Sequence, residues 1–119
     1  MTLREKIKSA FVPKVEAVNI PGLDEPVFVR ELTGLESDRL DAANYRVGPD
    51  GKRVFAHENY LARQFIAVAC DAAGKPLYGP MDVAEVSMLP ASLLERVIDA
   101  GRKLNSFGAD AEESAAKNS

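Results

Sequence analysis

No stretch of this sequence approaches the length of uninterrupted apolar residues that a membrane-spanning helix needs, which excludes an integral helical membrane protein. The first residues alternate charge with apolar character (Leu3, Arg4, Glu5, Lys6, Ile7, Lys8), where a secretion signal requires an apolar run, so a cytosolic protein is expected. Cysteine is nearly absent. Cys70 stands alone, which rules out an intramolecular disulfide and leaves a cysteine-based zinc site without ligands. Within its apolar surroundings Cys70 reads as a small hydrophobe and not as a nucleophile. Histidine is equally scarce: His57 is followed by Glu58, but the second histidine of a zinc-protease helix is replaced by Leu61. His57 is therefore read as a solvated or capping side chain.

Positive charge is not in excess either. Fifteen Lys and Arg against eighteen Asp and Glu give a net charge of -3, which supplies no electrostatic reason to bind nucleic acid or an anionic membrane. The cations near the N-terminus (Arg4, Lys6, Lys8, Lys14) are interrupted by Glu5 and have only Phe11 as a stacking partner, so they read as a solvated helix face. Gly74-Lys75 lacks both the upstream glycine of a phosphate-binding loop and the following Ser or Thr, whose place Pro76 takes. The carboxylate pairs Asp38 with Asp41 and Asp82 with Glu85 lie near helix starts, where acids complement the backbone dipole. No catalytic, metal-binding or cofactor-binding residue is assigned, and no cofactor is expected.

What is present is enough apolar material for a core: 46% of 119 residues are hydrophobic, sufficient for one domain without staples. Thr2 and Glu5 have capping-box spacing, predicting a short helix from about Thr2 to Ala10 that Pro13 ends. Val15 to Ile20 and Val27 to Leu32, joined through Pro21-Gly22, read as a β-hairpin with a long connection. Thr33 and Glu36 repeat the box ahead of a helix from about Gly34 to Tyr45, and Gly48-Pro49-Asp50-Gly51 then breaks the chain. Leu61, Ala62, Phe65, Ile66, Val68 and Ala69 mark a central helix from about His57 to Ala72. Residues 73–80 fit either an extended loop or a strand added to the hairpin. A short helix follows from Asp82 to Met88. A last one opens at Pro90 and carries Leu93, Leu94, Val97, Ile98, Gly101 and Leu104 on one side. The expected fold is α+β: a mainly helical domain over residues 1–107 with an N-terminal β-hairpin, and a flexible acidic tail over 108–119.

Three blocks carry a resemblance. Ile20 to Gly34 (IPGLDEPVFVRELTG), Cys70 to Tyr78 (CDAAGKPLY) and Leu104-Asn105 with Phe107-Gly108 and the acidic tail resemble, in this order, tail assembly chaperones of siphophage-like tail operons and prophages. The resemblance is weakest between Tyr45 and His57. It implies a non-enzymatic protein of the bacterial host cytoplasm, absent from the mature virion. Its partner would be the tape measure protein, kept soluble until the major tail protein, a second expected contact, polymerises around it. Coating a rod implies a homo-oligomer built through a repeated head-to-tail interface. An apolar surface able to meet a helix would serve the task, and Val27, Val29 and Leu32 on the hairpin, with Leu94 and Phe107, are its candidates. The family also implies a longer form made by programmed frameshift, for which Ala116-Lys117-Asn118 can encode the slippery heptamer A-AAA-AAC. The alternative is a structural tail-completion or head-tail joining protein of the virion; a small enzyme or nucleic-acid-binding regulator is a more distant one.

Overall fold

The computed structural model describes residues 1–106. Phe107, the expected tail at 108–119 and the Ala116 to Asn118 segment lie outside the described residues. The chain runs α1 (Leu3–Ala10), β1 (Val15–Val18), β2 (Val27–Arg30), α2 (Gly34–Ala43), β3 (Tyr45–Val47), β4 (Arg53–Phe55), α3 (Tyr60–Val68), β5 (Ala69–Cys70), a 3-10 turn (Pro80–Asp82), α4 (Val83–Ser87) and α5 (Ala91–Leu104). The fold is α+β: among the described residues, five α-helices with two small antiparallel sheets.

Both capping boxes form. The Thr2 hydroxyl accepts from the Glu5 N–H at 3.2 Å while the Glu5 carboxylate accepts from the Thr2 N–H at 3.4 Å. Thr33 and Glu36 do the same at 3.2 and 3.0 Å, so each helix begins where the reciprocal bonds satisfy its orphan donors. The expected hairpin pairs Val15 with Arg30 at its open end and Val18 with Val27 near the turn, where Gly22 takes a φ of +96°.

The central helix is shorter than its apolar run predicts. It starts at Tyr60, after Asn59 in the left-handed region (φ 60°), and stops at Val68. Ala69 and Cys70 leave the helix to pair with Val29 and Phe28, completing a three-stranded sheet in which β2 is central. An edge that would otherwise leave β2 backbone groups unpaired outweighs two more residues of helix. Residues 71–80 are mostly loop with one bridge: the Asp71 carboxylate accepts from the N–H groups of Ala73 and Lys75, both at 2.9 Å, and Gly74 turns with φ +83°. The chain then folds back so that Pro76 bridges Cys70.

The segment Tyr45 to Phe55 corrects the sequence reading. α2 ends at Ala43, and Tyr45–Val47 and Arg53–Phe55 form a second hairpin around Gly48-Pro49-Asp50-Gly51. Aromatic edges hold it, with Tyr45 against Phe55 at 5.7 Å and Phe55 against Tyr60 at 5.2 Å, and Arg53 lies 4.2 Å over the Tyr45 ring. Arg63 anchors it to α3 by donating to the carbonyls of Ala56, at 2.6 Å, and Glu58, and to the side chain of buried Asn44 at 3.3 Å.

The core lies where α5 packs on both α3 and β2. Val29, Ala62, Phe65, Val68, Ala69, Val86, Leu94, Val97 and Ile98 form one buried cluster. α5 sits close to α3 because Gly101 has no side chain: a Cβ there would be 2.9 Å from Val68. Pro90 is the N-cap of α5 and not its first helical residue. At the far end of α5, Asn105 accepts from the Leu32 N–H at 2.8 Å and donates to the Arg30 carbonyl at 3.2 Å, fastening the helix to the exit of β2.

Candidate protein-binding site

The residues expected on a binding surface divide. Val29, with no exposed surface, and Leu94, 2% exposed, are core side chains and are withdrawn as surface candidates. The alternation that marks a strand face, or the spacing that marks a helix face, identifies the apolar side; here that side of β2 meets α5, and that side of α5 also meets α3. Val27 is half-buried against the core. Leu32 is half-buried too, and it lines an apolar groove on the molecule's surface. Phe107 lies outside the described residues.

That groove, about 530 Å³, runs between α2, α3 and the loop entering α4. Leu32, Leu40, Ile66, Ala67, Tyr78 and Val83 provide its apolar surface, and Tyr78 is braced by Phe65 with ring centroids 6.0 Å apart. The Asp71 turn positions this wall by returning the chain to Tyr78, and the Asp82 carboxylate accepts from the Gly79 N–H at 2.7 Å to fix the entry to α4. Arg30, Arg39 and Arg63 stand on the groove against a single acid, Glu36. Arg30 and Glu36 pair at 2.6 Å. The Thr33 backbone N–H first, and the Arg30 guanidinium second, hold the Glu36 carboxyl below its ordinary value of 4.5. The buried Arg30 Nε has no hydrogen-bond partner among the described residues.

Elsewhere the chemistry does not converge. Burial raises the pKa of Cys70, disfavouring its thiolate. His57 is exposed and packs edge-on against Phe55 at 4.7 Å. Asp41 reaches Arg53 at 3.6 Å on the surface. Among the described residues no three His, Cys, Asp or Glu side chains gather as a metal site requires, and no helix is long and apolar enough to cross a membrane.

Sequence reasoning missed two features. The groove takes residues from positions 30 to 83, and only Leu32 among its apolar residues was marked as a surface candidate. The second feature is α1, none of whose residues is buried: Leu3 is 73% and Ile7 53% exposed, one helical turn apart. Its signal, two large apolar residues at i and i+4 behind a capping box, stands in the sequence. No protein family, curated protein or solved structure matches this chain.

Proposed function

We propose that this protein is a tail assembly chaperone: it holds apolar helical segments of a tape measure protein in the groove between α2 and α3 while a phage tail is built, and it catalyses no reaction. What carries the reading is where the three resembling blocks meet. The first supplies Arg30 and Leu32 to the groove, the second supplies Pro76 and Tyr78, and the third supplies Asn105, whose side chain clasps the backbone of Arg30 and Leu32. Segments far apart in sequence thus build one surface. An apolar floor with cations on its rim suits the helix-in-groove mode of recognition, in which a guest helix inserts an apolar stripe flanked by acids. Covering such a stripe removes the surface through which an unassembled rod aggregates. The work belongs to the bacterial cytoplasm, before the major tail protein polymerises, and the chaperone leaves before the virion is complete.

Co-expression tests the proposal. A fragment of the tape measure protein encoded beside this gene should gain soluble fraction with the wild-type chain and lose that gain with Leu40→Glu, which puts charge on the groove floor. A fragment that precipitates equally with and without the wild-type chain would sink the reading. Mass spectrometry of purified particles provides a second check, because a fixed stoichiometry in the virion would make it a structural joining protein instead.

A further inference from the structure

We propose that residues 107–119 are the resident occupant of the α2–α3 groove: the segment after α5 returns across Leu32 and Leu40, sets its acids against the groove's arginines, and covers the apolar floor. The contact concerns this chain alone; only the guest that would displace it rests on the chaperone reading. The first ground is where the segment starts. Asn105, two residues before Phe107, bonds the Leu32 N–H and the Arg30 carbonyl, and Leu32 and Arg30 both line the groove. Asn105 also lines a smaller hollow of about 180 Å³, which shares Leu32 and Leu40 with the groove. The described residues thus end beside an apolar path that leads into it.

The second ground is charge carried by the groove lining itself. Arg30, Arg39 and Arg63 stand there with one acid, Glu36, whose carboxylate is already taken by Arg30 at 2.6 Å and by the Thr33 N–H at 3.0 Å. The guanidinium of Arg63 is spent on oxygen atoms of Ala56, Glu58 and Asn44, two carbonyls and an amide, so no anion matches its charge. Arg39 makes no hydrogen bond or ion pair among the described residues. Residues 107–119 bring Asp110, Glu112 and Glu113 against one cation, Lys117, with Phe107 as their one large apolar side chain. Opposite signs steer such a segment into the groove, whereas α1, with Arg4, Lys6 and Lys8, is repelled by the same arginines. Reach is no obstacle. An extended chain covers at most about 3.6 Å per residue, which lets Asp110 stand up to ~18 Å from Asn105. The α2 stretch from Glu36 to Ala43 that walls the groove is only about 10 Å long. A tether this short holds the segment at an effective concentration on the order of millimolar, so a contact too weak to form between separate molecules closes within one. A guest then binds with its apparent affinity reduced by the fraction of grooves that stand open.

Nuclear magnetic resonance of the full chain with a nitroxide at position 114 (Ser114→Cys) tests this. Cys70, 1% exposed, does not compete for the label. At low protein concentration the amide signals of Arg39, Leu40, Ala43, Ile66 and Ala67 should lose most of their intensity relative to the reduced label. Those of Leu23 and Ser92, beside the start of α5, should keep theirs. Arg39→Glu should shrink the loss, and so should Asp110→Lys with Glu112→Lys and Glu113→Lys. Arg39 is exposed, and unchanged signals in the rest of the spectrum will show the fold intact. Groove signals untouched by the nitroxide would overturn the proposal. So would a loss that survives both charge variants, since it would not depend on the arginines. A loss seen on an unlabelled chain mixed with the nitroxide-bearing one would assign the groove to a second copy, and overturn the contact within the chain as well.

Discussion

Helices α1 and α5 have the same design on paper and opposite fates in the fold. Each places apolar residues one turn apart on one side and charges on the other. α5 buries Leu94, Val97, Ile98 and Gly101 against α3 and β2, while α1 buries nothing. The difference does not lie in local chemistry, for α1 has the better N-terminus: its capping box is complete, whereas Pro90 gives α5 no side-chain cap. What separates them is neighbours. α5 has the width of apolar face to span a helix and a strand; α1 has two large side chains and a connection, Phe11 to Lys14, that carries it off the end of the sheet. An amphipathic pattern identifies a side that meets something without saying whether the something lies in the same chain.

The sharpest way to break this comparison is to remove one large side chain from each helix. Leu94→Ala should cost about 2–5 kcal/mol, as a cavity is left in the core, whereas Ile7→Ala should change the stability of the monomer by under about 0.5 kcal/mol. Urea titration at low protein concentration measures both. Equal losses would mean that α1 is seated on the body after all.

A smaller effect is expected at Gly101, the point that lets α5 approach α3. Alanine gains about 1 kcal/mol of helix propensity there, but its Cβ would lie 2.9 Å from the Cβ of Val68, an atom with little freedom to retreat. Overpacking of this kind costs about 1–3 kcal/mol, so Gly101→Ala should lower the unfolding midpoint. A raised midpoint would show that the two helices can separate at no penalty.

The smallest effect separates two copies of one motif. Thr33→Ala should cost about 1 kcal/mol, because its capping box starts a helix tied into the domain, while Thr2→Ala should melt α1 and leave global stability unmoved. The pH dependence follows from Glu36. Its folded pKa is depressed, so its contribution is full above the unfolded value of 4.5 and is lost as pH falls through the folded one. Glu36→Gln should therefore be less stable than the wild type at neutral pH, with the gap closing below pH 4.5. A gap independent of pH would assign the loss to packing instead of charge.

Much of the fold was legible because its signals are local. Capping boxes, the Pro21-Gly22 turn and the spacing of Leu94, Val97, Ile98 and Gly101 each act within a few residues. What was missed depended on distant partners. Ala69 and Cys70 continue a helical pattern in sequence and become a strand because β2 has an open edge. Tyr45 looks like the last turn of α2 until Phe55 is placed opposite it, although aromatic and β-branched residues on both sides of Gly48 to Gly51 were a usable hairpin signal. The binding surface followed the same logic. Val29 and Leu94 are as apolar as Leu32, but which of them faces outward is settled by where α5 packs between β2 and α3, and of the three only Leu32 stands beside the groove.

The contacts at the exit of β2 bear on how this body transmits force. Lys14 is held there by Glu31, and Asn105 by Arg30 and Leu32, so both ends of the folded part are tied to three consecutive residues. Tension applied through α1 and tension applied at the end of α5 meet at nearly one point. Most of such a load bypasses the α3–α5 core. A pull on both ends of the described residues would thus be borne at one corner of the body, the exit of β2.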